Sequence, residues 1–288
     1  MSGTALDRDA LDKHPLPPVT DGGKETKGRI LIVAGSRDVP GAALLAATAA
    51  MRSGAGKLRI ATVESAATAI AVAMPEAMVY GLPEAQDGGF ARAAIRRMVD
   101  AAKHVDAVLA GPGVKRSHLC RLLADALLET SAALALDVSL LETLEPVHDP
   151  HLERPKPPIL LPNADELAAL LDCPTRQVED DPVGCGLRAA ELYRAIVLVK
   201  GVVSHVVTAS GDCWTYDGGA PGLGVSGSGD VLAGIVGGLL ARGAEPLAAL
   251  LWSVWLHGEA GARLAKKAGP IGFLAREIAG EIPDLLPR

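Results

Sequence analysis

The sequence predicts an α/β protein with three layers, α/β/α, around a mainly parallel central sheet. Short apolar runs alternate with helical segments of roughly ten to fifteen residues, which is the pattern of βαβ units. Because crossovers between parallel strands are right-handed, their helices cover both faces of the sheet. The composition agrees with this fold class, since 49% of the residues are hydrophobic and can fill a large core.

The first half of the chain follows this alternation closely. Residues 1–28 contain several prolines and glycines and are predicted to form an extended arm. Beyond the arm, the apolar pattern predicts strands over 30–35, 57–63, 77–82 and 106–113. Helices are predicted to follow these strands, over 42–56, 65–74, 90–103 and 118–130.

The second half continues the pattern and adds a hairpin. Strands are predicted over 132–138, 157–163 and 195–201, with a proline-rich loop after the first and a helix over 164–171. Residues 204–218 are predicted to form a hairpin that turns at 210–212. The apolar run 231–240 and residues 247–267 are predicted to be helical, and Gly234, Gly237 and Gly238 are interpreted as close helix–sheet packing. Composition does not break along the chain, so residues 29–288 are predicted to form a single catalytic domain.

Composition also limits the kind of partner. No apolar run is long enough to span a membrane, and the polar N-terminus lacks a signal-peptide apolar region, so we expect a cytoplasmic protein that does not bind membranes. A net charge of −6 and only 3% aromatic residues argue against nucleic-acid binding. The four cysteines show no CxxC spacing and are interpreted as reduced thiols. A small-molecule substrate is therefore expected.

The glycine-rich stretch 222–230, GLGVSGSGD, is the most informative motif. It matches GxGxxG, but it follows a predicted hairpin instead of the first strand of a βαβ unit, so a Rossmann dinucleotide site is not favoured. Where a glycine loop opens a helix, free N–H groups and the helix dipole bind phosphate. Asp230 would repel that anion, so its predicted task is to take a proton from an attacking hydroxyl. The structural alternative is that Asp230 caps the helix.

Other candidate residues follow predicted strands, at the edge of the sheet where such folds bind ligands. Glu166 could bind a hydrated Mg²⁺ through its carboxylate, although Asn163 and Glu166 also fit a capping box. Lys200 and Ser204 could bind phosphate oxygens, the alternative being a lysine at a surface turn. The turn 111–113, Gly-Pro-Gly, could be a floor beneath a ligand or only a tight turn. Two residues at the spacing of His257 and Glu259 lie on different helix faces, which argues against a metal pair.

These motifs together resemble one family. The stretches GRILIVAGS (28–36), PGAALLAATAAMRSGAG (40–56), AGPG (110–113), PNADEL (162–167), VLVKG (197–201) and SGSGDVLAGIVGGLLARG (226–243) are similar to those of the ADP-dependent NAD(P)H-hydrate dehydratases. That family belongs to the ribokinase-like superfamily, so the resemblance implies a ribokinase-like three-layer fold. It also implies the reaction, which is the dehydration of hydrated NADH or NADPH through a phosphorylated intermediate, with ADP or ATP as co-substrate and Mg²⁺ as cofactor.

The resemblance assigns roles by position. It implies that Asp230 is the catalytic base, and that Asp230 also contacts the hydrated nicotinamide nucleotide. The other substrate-binding residues that it implies are Ala42, Gly113 and Asn163. The residues implied to bind the adenine nucleotide are Lys200, Gly201, Val202, Val203, Ser204, Gly227, Ser228 and Gly229. Glu166 remains the predicted metal residue, and the family suggests a homotetramer.

The chain departs from the family pattern in several loops. Asn163-Ala-Asp-Glu166 stands where the family has His-Pro-Gly-Glu and matches the NxxE form of superfamily kinases. The other departures are Ser139 in place of an acid, Ala220 in place of asparagine, Val225 in place of threonine or serine, and Ser226 in place of glycine. Two alternatives therefore stay open, namely a small-molecule kinase that keeps its phosphorylated product and a nucleotide-binding protein without turnover. Few residues precede the first predicted strand, so a single activity is expected.

Overall fold

Ten strands form one sheet in the computed structural model, which describes residues 3–19, 21, 23, 26–141, 143–147 and 154–287. The strand order is β1-β10-β9-β8-β7-β6-β5-β2-β3-β4, and β9 alone of these strands runs antiparallel to its neighbours. The strands are β1 (Thr4–Ala5), β2 (Arg29–Val33), β3 (Lys57–Val63), β4 (Ala77–Leu82), β5 (Ala107–Ala110), β6 (Ala133–Leu136), β7 (Ile159–Leu160), β8 (Ile196–Val199), β9 (Ser204–Val207) and β10 (Cys213–Tyr216). The predicted mainly parallel sheet is confirmed.

Helices cover both faces of this sheet. They are α1 (Arg8–Asp12), α2 (Gly41–Arg52), α3 (Glu64–Ala73), α4 (Arg92–Ala102), α5 (Leu119–Leu128), α6 (Ala164–Leu170), α7 (Thr175–Asp180), α8 (Pro182–Tyr193), α9 (Ser228–Ala241), α10 (Pro246–Ala268) and α11 (Ala275–Glu281). Helices α2, α3, α9, α10 and α11 contact one another on one face, whereas α4, α5 and α6 to α8 lie on the other. In the described part of the chain, none of the helices combines the length and apolarity that crossing a bilayer requires.

The prediction of an extended arm over residues 1–28 is wrong where the structure describes the N-terminus. Strand β1 pairs with β10, and Asp7 caps α1 by accepting the N–H of Ala10. Leu6 and Leu11 are buried in the common core, which explains why this segment is structured despite its prolines. Residues 1, 2, 20, 22, 24 and 25 of the predicted arm lie outside the described residues, as do residues 148–153 of the proline-rich loop.

Helices α7 and α8 were not predicted. Their segment contains two prolines and two glycines, which obscure the helical pattern. Asp181 caps α8 by accepting the N–H of Gly184, and Pro182 stands in the first turn, where its missing N–H costs nothing. A Cβ atom at position 186 would lie 2.8 Å from Cγ2 of Val199, so glycine there lets α8 lie close to the sheet.

The three glycines of α9 are close-packing positions, but only one faces the sheet. A Cβ atom at Gly237 would lie 2.7 Å from Cδ1 of Ile30 in β2, as the prediction of helix–sheet packing requires. At Gly234 and Gly238 it would instead lie 2.3 and 2.5 Å from carbonyl oxygens of α2. The prediction is therefore wrong for these two glycines, which let two helices approach each other and so fix the position of the N-terminus of α9.

Candidate active site

Three polar residues come together because they follow neighbouring parallel strands. Asp137 follows β6, Asn163 follows β7 and Lys200 follows β8. The N–H of Lys200 donates to the carbonyl oxygen of Pro162 at 2.9 Å, and Asn163 and Lys200 form an isolated parallel bridge that extends the pairing of β7 with β8. The predicted clustering of polar residues at the carboxyl edge of the sheet is therefore present.

A lysine lies between two carboxylates at this edge. Nζ of Lys200 is 2.8 Å from Oδ1 of Asp137 and 3.5 Å from Oε2 of Glu166. Burial by itself would lower the pKa of Lys200, but the two carboxylates outweigh burial and raise this pKa. Lys200 is therefore a cation held by the site, and the alternative of a lysine at a surface turn is wrong.

Asp137 was not predicted as a site residue. Its carboxylate is almost fully buried, with 1% of the side chain exposed, and it accepts the charge-assisted hydrogen bond of Lys200. The next residue, Val138, has a φ of 47°, a conformation that β-branched residues rarely adopt. An acid that ends a buried strand was the signal available in the sequence, because such a residue must find a partner at the sheet edge.

Asp230 lies in the first turn of α9, where helical N–H groups are free of intrahelical acceptors. The N-cap residue is Gly227, and no side chain caps this helix, so the alternative that Asp230 caps it is wrong. Burial, together with the negative charge of Asp137, raises the pKa of Asp230 to about 6, although the positive charge of Lys200 opposes the rise. A carboxylate with this pKa is suited to accept a proton near neutral pH.

The glycine loop reaches both groups of predicted ligand-binding residues. Gly227 has a φ of 89°, and a Cβ atom there would lie 2.5 Å from Cδ1 of Leu45 in α2. Two residues later, a Cβ atom at Gly229 would lie 3.9 Å from Nζ of Lys200. The N-terminus of α9 therefore lies between helix α2 on one side and Lys200 on the other.

Two of the residues predicted to hold the substrate, Ala42 and Gly113, lie on the α2 side, whereas Asn163 pairs with Lys200 on the other side. Gly113 has a φ of 63°, and a Cβ atom there would lie 2.6 Å from Cβ of Ala42, so the two residues are in direct contact. Ala42 is buried in the first turn of α2, which leaves its backbone N–H as the group able to meet a ligand.

The residues predicted to hold the nucleotide lie on the Lys200 side. Residues 201–203 form the turn between β8 and β9, where the side chain of Val202 is 98% exposed. The hydroxyl of Ser204 donates to the carbonyl oxygen of Gly201 at 3.4 Å, which closes the turn. Lys200 and Ser204 thus flank an open loop whose backbone is accessible.

Ser228 differs from the glycines on either side of it. Its N–H donates to the carbonyl oxygen of Val225 at 3.1 Å, and its buried hydroxyl lies 3.0 Å from Nε2 of His257. Burial, together with the positive charge of Lys200, lowers the pKa of His257 to about 4, although the hydrogen bond to the backbone of Ser228 opposes the fall, so this ring is neutral at pH 7. The contact with Ser228 was not predicted from the sequence, because the two residues are 29 positions apart on different helices.

Asn163 and Glu166 form the complete capping box of α6. Oδ1 of Asn163 accepts the N–H of Glu166, and Oε2 of Glu166 accepts the N–H of Asn163, each at 2.9 Å. Burial raises the pKa of Glu166 and Asp137 adds to the rise, whereas Lys200 opposes it. No three histidine, cysteine, aspartate or glutamate side chains of the described residues are grouped as ligands of one metal ion.

Known proteins resemble this chain over most of its length. The sequence model of the NAD(P)H-hydrate dehydratase family matches residues 30–284, which is most of the chain. The chain belongs to the NAD(P)H-hydrate dehydratase family. It is 44% identical over 283 residues to the ADP-dependent (S)-NAD(P)H-hydrate dehydratase of Xanthomonas campestris, covering 97% of this chain and 94% of that protein.

Other members of the family are similar over nearly the whole chain. It is 30% identical over 265 residues to the ADP-dependent (S)-NAD(P)H-hydrate dehydratase of Bacillus subtilis, covering 92% of this chain and 90% of that one. The crystal structure of the B. subtilis ADP/ATP-dependent NAD(P)H-hydrate dehydratase, co-crystallised with ATP/Mg²⁺, superposes with a TM-score of 0.84 at 26% identity and covers 99% and 98% of the two chains. A ribokinase-like superfamily protein of Enterococcus faecalis gives a TM-score of 0.79 at 23% identity over 98% and 94% of the chains, which confirms the predicted fold class.

One departure from the family pattern has a structural explanation. Ser139 stands where the family has an acid, and its hydroxyl donates to the carbonyl oxygen of Val114 at 2.7 Å in the protein interior. This bond joins the loop after β6 to the loop after β5. The serine thus stabilises the position of Asp137 and Gly113 relative to each other, and an ionised acid could not donate this hydrogen bond.

Proposed function

We propose that this chain dehydrates hydrated NADH and NADPH, with ADP or ATP as the phosphoryl donor, and so acts as a hydro-lyase that repairs the cofactor. The observation that supports this function best is the position of Asp230. Its carboxylate has a pKa raised to about 6 and lies beside the free N–H groups of α9, between the α2 side and the Lys200 side of the site. A proton acceptor beside an anion site is what phosphoryl transfer to a hydroxyl needs.

The first step would be phosphorylation of the hydrate. Asp230 accepts the proton of the substrate hydroxyl while that oxygen attacks the terminal phosphorus of the nucleotide. The new O–P bond forms as the bond to the nucleotide leaving group breaks, and the N–H groups of Gly229 and Asp230 stabilise the charge of the transferring phosphoryl group. The positions of Gly227 and Gly229 allow the close backbone approach that this step requires.

The second step would be loss of phosphate. The lone pair of the ring nitrogen expels the phosphate group from the adjacent carbon, and loss of a proton from the neighbouring carbon restores the ring double bond. Ala42 and Gly113 would hold the substrate through the backbone, because the side chain of Ala42 is buried against Gly113. Asn163 would orient the substrate at the other side of Asp230, since its amide cannot act as a base.

The nucleotide would bind on the side of Lys200. The ammonium of Lys200 supplies charge-assisted hydrogen bonds to phosphate oxygens, and the exposed turn 201–204 supplies backbone N–H groups. The N-terminal turn of α9, with Gly227, Ser228 and Gly229, completes this side. Because the hydroxyl of Ser228 contacts His257, Ser228 would contribute through its position in the backbone.

A hydrated magnesium ion fits the charges of this site. Two carboxylates, those of Asp137 and Glu166, flank Lys200, and that of Asp230 is near enough to be influenced by both Asp137 and Lys200, so an anionic nucleotide would meet an excess of negative charge without a further cation. Glu166 is the residue that would hold the ion through its water molecules, and the ion would neutralise charge on the phosphates.

The resemblance to the family also suggests a homotetramer, and we propose a cytoplasmic location. Light scattering on the purified protein would test the first proposal, with a mass four times that of the 29.5 kDa chain expected. Fractionation of cells that express the natural gene would test the second. A monomer in the first experiment, or export in the second, would contradict them.

The deciding experiment measures repair directly. Purified protein is incubated with hydrated NADH, Mg²⁺ and either ADP or ATP, and return of the reduced-nicotinamide absorbance is followed. We expect recovery that depends on the nucleotide and releases one phosphate for each molecule repaired. A stable phosphoester made from ATP without recovery of absorbance would favour a kinase, and binding of nucleotide without either product would favour a binding protein.

A further inference from the structure

The part of α10 from His257 to Gly261 lies directly beneath the glycine loop. Nε2 of His257 is 3.0 Å from Oγ of Ser228 and 3.2 Å from the carbonyl oxygen of the same residue. Ahead of the loop, at the end of β10, the hydroxyl of Tyr216 donates to Oε1 of Glu259 at 3.2 Å. Helix α10 thus contacts the chain both at the end of β10 and where the glycine loop enters α9.

Two small residues of α10 allow this close contact. A Cβ atom at Gly258 would lie 2.2 Å from the ring of Tyr216, and one at Gly261 would lie 2.5 Å from the side chain of Leu223. The loop therefore rests on the helix surface with no space for larger side chains. Only one polar group in this contact, the ring of His257, reaches the helical turn that contains Asp230.

The chemistry of the two acceptors determines which nitrogen of His257 carries the proton. A carbonyl oxygen can only accept a hydrogen bond, so the nitrogen that lies 3.2 Å from the Ser228 carbonyl must be the donor. The ring is neutral at pH 7, because burial lowers its pKa to about 4, and it therefore carries a single proton on Nε2. Its N–H is shared between the carbonyl and hydroxyl oxygens of Ser228.

We propose that His257 is a positioning residue for catalysis, which through its Nε2–H bond to Ser228 fixes the first turn of α9 and with it the carboxylate of Asp230. This inference rests on the proposed function, in which the N–H groups of Gly229 and Asp230 bind the transferring phosphoryl group. The carbonyl of Ser228 and the N–H of Gly229 belong to one peptide group, so a rotation of that group re-aims the N–H of Gly229 directly and displaces that of Asp230, the next residue. His257 touches neither substrate nor nucleotide in this role.

The expected signature is a loss of kcat with little change in KM for the nucleotide. In the ground state the nucleotide would be held mainly by Lys200 and the turn 201–204, and the first turn of α9 would only complete this side of the site. The transferring phosphoryl group relies on the first turn of α9, and small misplacements there are costly. We therefore expect His257→Leu to lower kcat about tenfold or more while KM for ADP or ATP changes less than about threefold.

Two further variants separate positioning from general stability. The amide nitrogen of glutamine can replace the Nε2 donor, so His257→Gln is expected to keep kcat within about threefold of the parent. Leu256→Ala truncates a fully buried neighbour on the same helix whose apolar side chain cannot hydrogen-bond Ser228, and it should lower the melting temperature with kcat unchanged. Parental kcat in the leucine variant, or an equal loss of kcat in Leu256→Ala, would overturn the proposal.

A measurement on the unmodified protein does not depend on activity. In protein labelled with ¹⁵N-histidine, the chemical shifts of His257 should show a proton on Nε2 and a bare Nδ1, unchanged from pH 8 to pH 5.5. A proton on Nδ1 would overturn the proposal even if His257→Leu does not fold. Absence of repair activity in the parent protein would instead overturn the proposed function, so the two failures are distinguishable.

Discussion

The ammonium of Lys200 lies 2.8 Å from the carboxylate of Asp137, and that carboxylate is almost completely shielded from solvent. Removing one partner of a buried ion pair leaves the other charge without compensation, which typically costs about 3–5 kcal/mol. Asp137→Asn is therefore expected to lower the free energy of unfolding by roughly this amount, because Glu166 lies farther from the ammonium, at 3.5 Å. Urea denaturation measures the change.

A surface pair provides the matched control for this substitution. Asp180 lies 3.6 Å from Arg176 on α7, with both side chains largely exposed, and exposed pairs contribute little to stability. Asp180→Asn should therefore leave the urea midpoint where it is. If the two asparagine variants had the same midpoint, the pair of Asp137 and Lys200 would not be a stabilising feature.

Besides pairing with Asp137, Lys200 is expected to bind the phosphates of the nucleotide. To avoid leaving a buried carboxylate unpaired, its contribution is best measured by adding Lys200→Met to the Asp137→Asn variant. Charge-assisted hydrogen bonds are worth about 1.5–3 kcal/mol, so the double variant should bind ATP about tenfold to a hundredfold more weakly than the single variant. Isothermal titration calorimetry at constant magnesium concentration compares them. Equal affinities would remove Lys200 from the nucleotide site.

Asp230→Asn is expected to abolish turnover but to leave nucleotide affinity near normal. The asparagine keeps the size of the side chain and loses its basicity, and loss of a positioned base typically costs about 10²–10⁴-fold in rate. Steady-state assays with hydrated NADH measure the rate, and calorimetry measures the affinity for ATP. Turnover at the parental rate would show that another group accepts the proton.

The same substitution is expected to stabilise the fold in a pH-dependent way. The carboxyl group of Asp230 ionises near its ordinary pKa of 3.8 in the unfolded chain and at about 6 in the folded protein. Between these two pKa values the folded state binds more protons than the unfolded state, so raising the pH lowers the free energy of unfolding. The loss reaches about 3 kcal/mol above pH 6. Asp230→Asn should therefore unfold at higher urea than the parent at pH 8, with the gain vanishing near pH 4. An equal increase in urea midpoint at both pH values would contradict a raised pKa of the Asp230 carboxyl group.

Asn163 is expected to cap helix α6 and to orient the substrate. Asn163→Leu removes the acceptor of the Glu166 N–H and should cost about 1 kcal/mol in unfolding free energy, whereas Asn163→Asp keeps an N-cap acceptor and should cost little. Asn163→His, which restores the family residue, should keep activity on hydrated NADH within about tenfold. Activity that appears only in the histidine variant would show that this position takes part in proton transfer.

The elements predicted from the sequence are those whose signal is local. Buried strands such as β2 and β8 are continuous apolar runs, so the apolar pattern is enough to find them. Asn163 and Lys200 follow predicted strands and Asp230 follows a glycine-rich loop, which are places where folds of this class bind ligands. The short strand β1 has no such run, since both its residues are exposed, and its pairing partner lies more than 200 residues away.

The missed parts of the site depend on contacts between distant segments. Asp137 and Lys200 are 63 residues apart, and their pairing follows from the positions of β6 and β8 in one sheet. Likewise, the spacing of His257 and Glu259 argues correctly that they do not share one face, but it cannot show that one reaches Ser228 and the other Tyr216. Which side chains of two helices meet depends on how the helices pack, and this packing cannot be read from a single sequence.

The pairing of β1 with β10 has a consequence for synthesis. A ribosome delivers Thr4 and Ala5 long before Trp214 and Thr215, which are their partners in the sheet. Throughout that interval Leu6 and Leu11 lack the surface that buries them in the finished protein, so the segment of β1 and α1 docks late although it is made long before its partner strand. A bulky fusion placed ahead of Thr4 would therefore hinder the final step of folding more than one placed after α11.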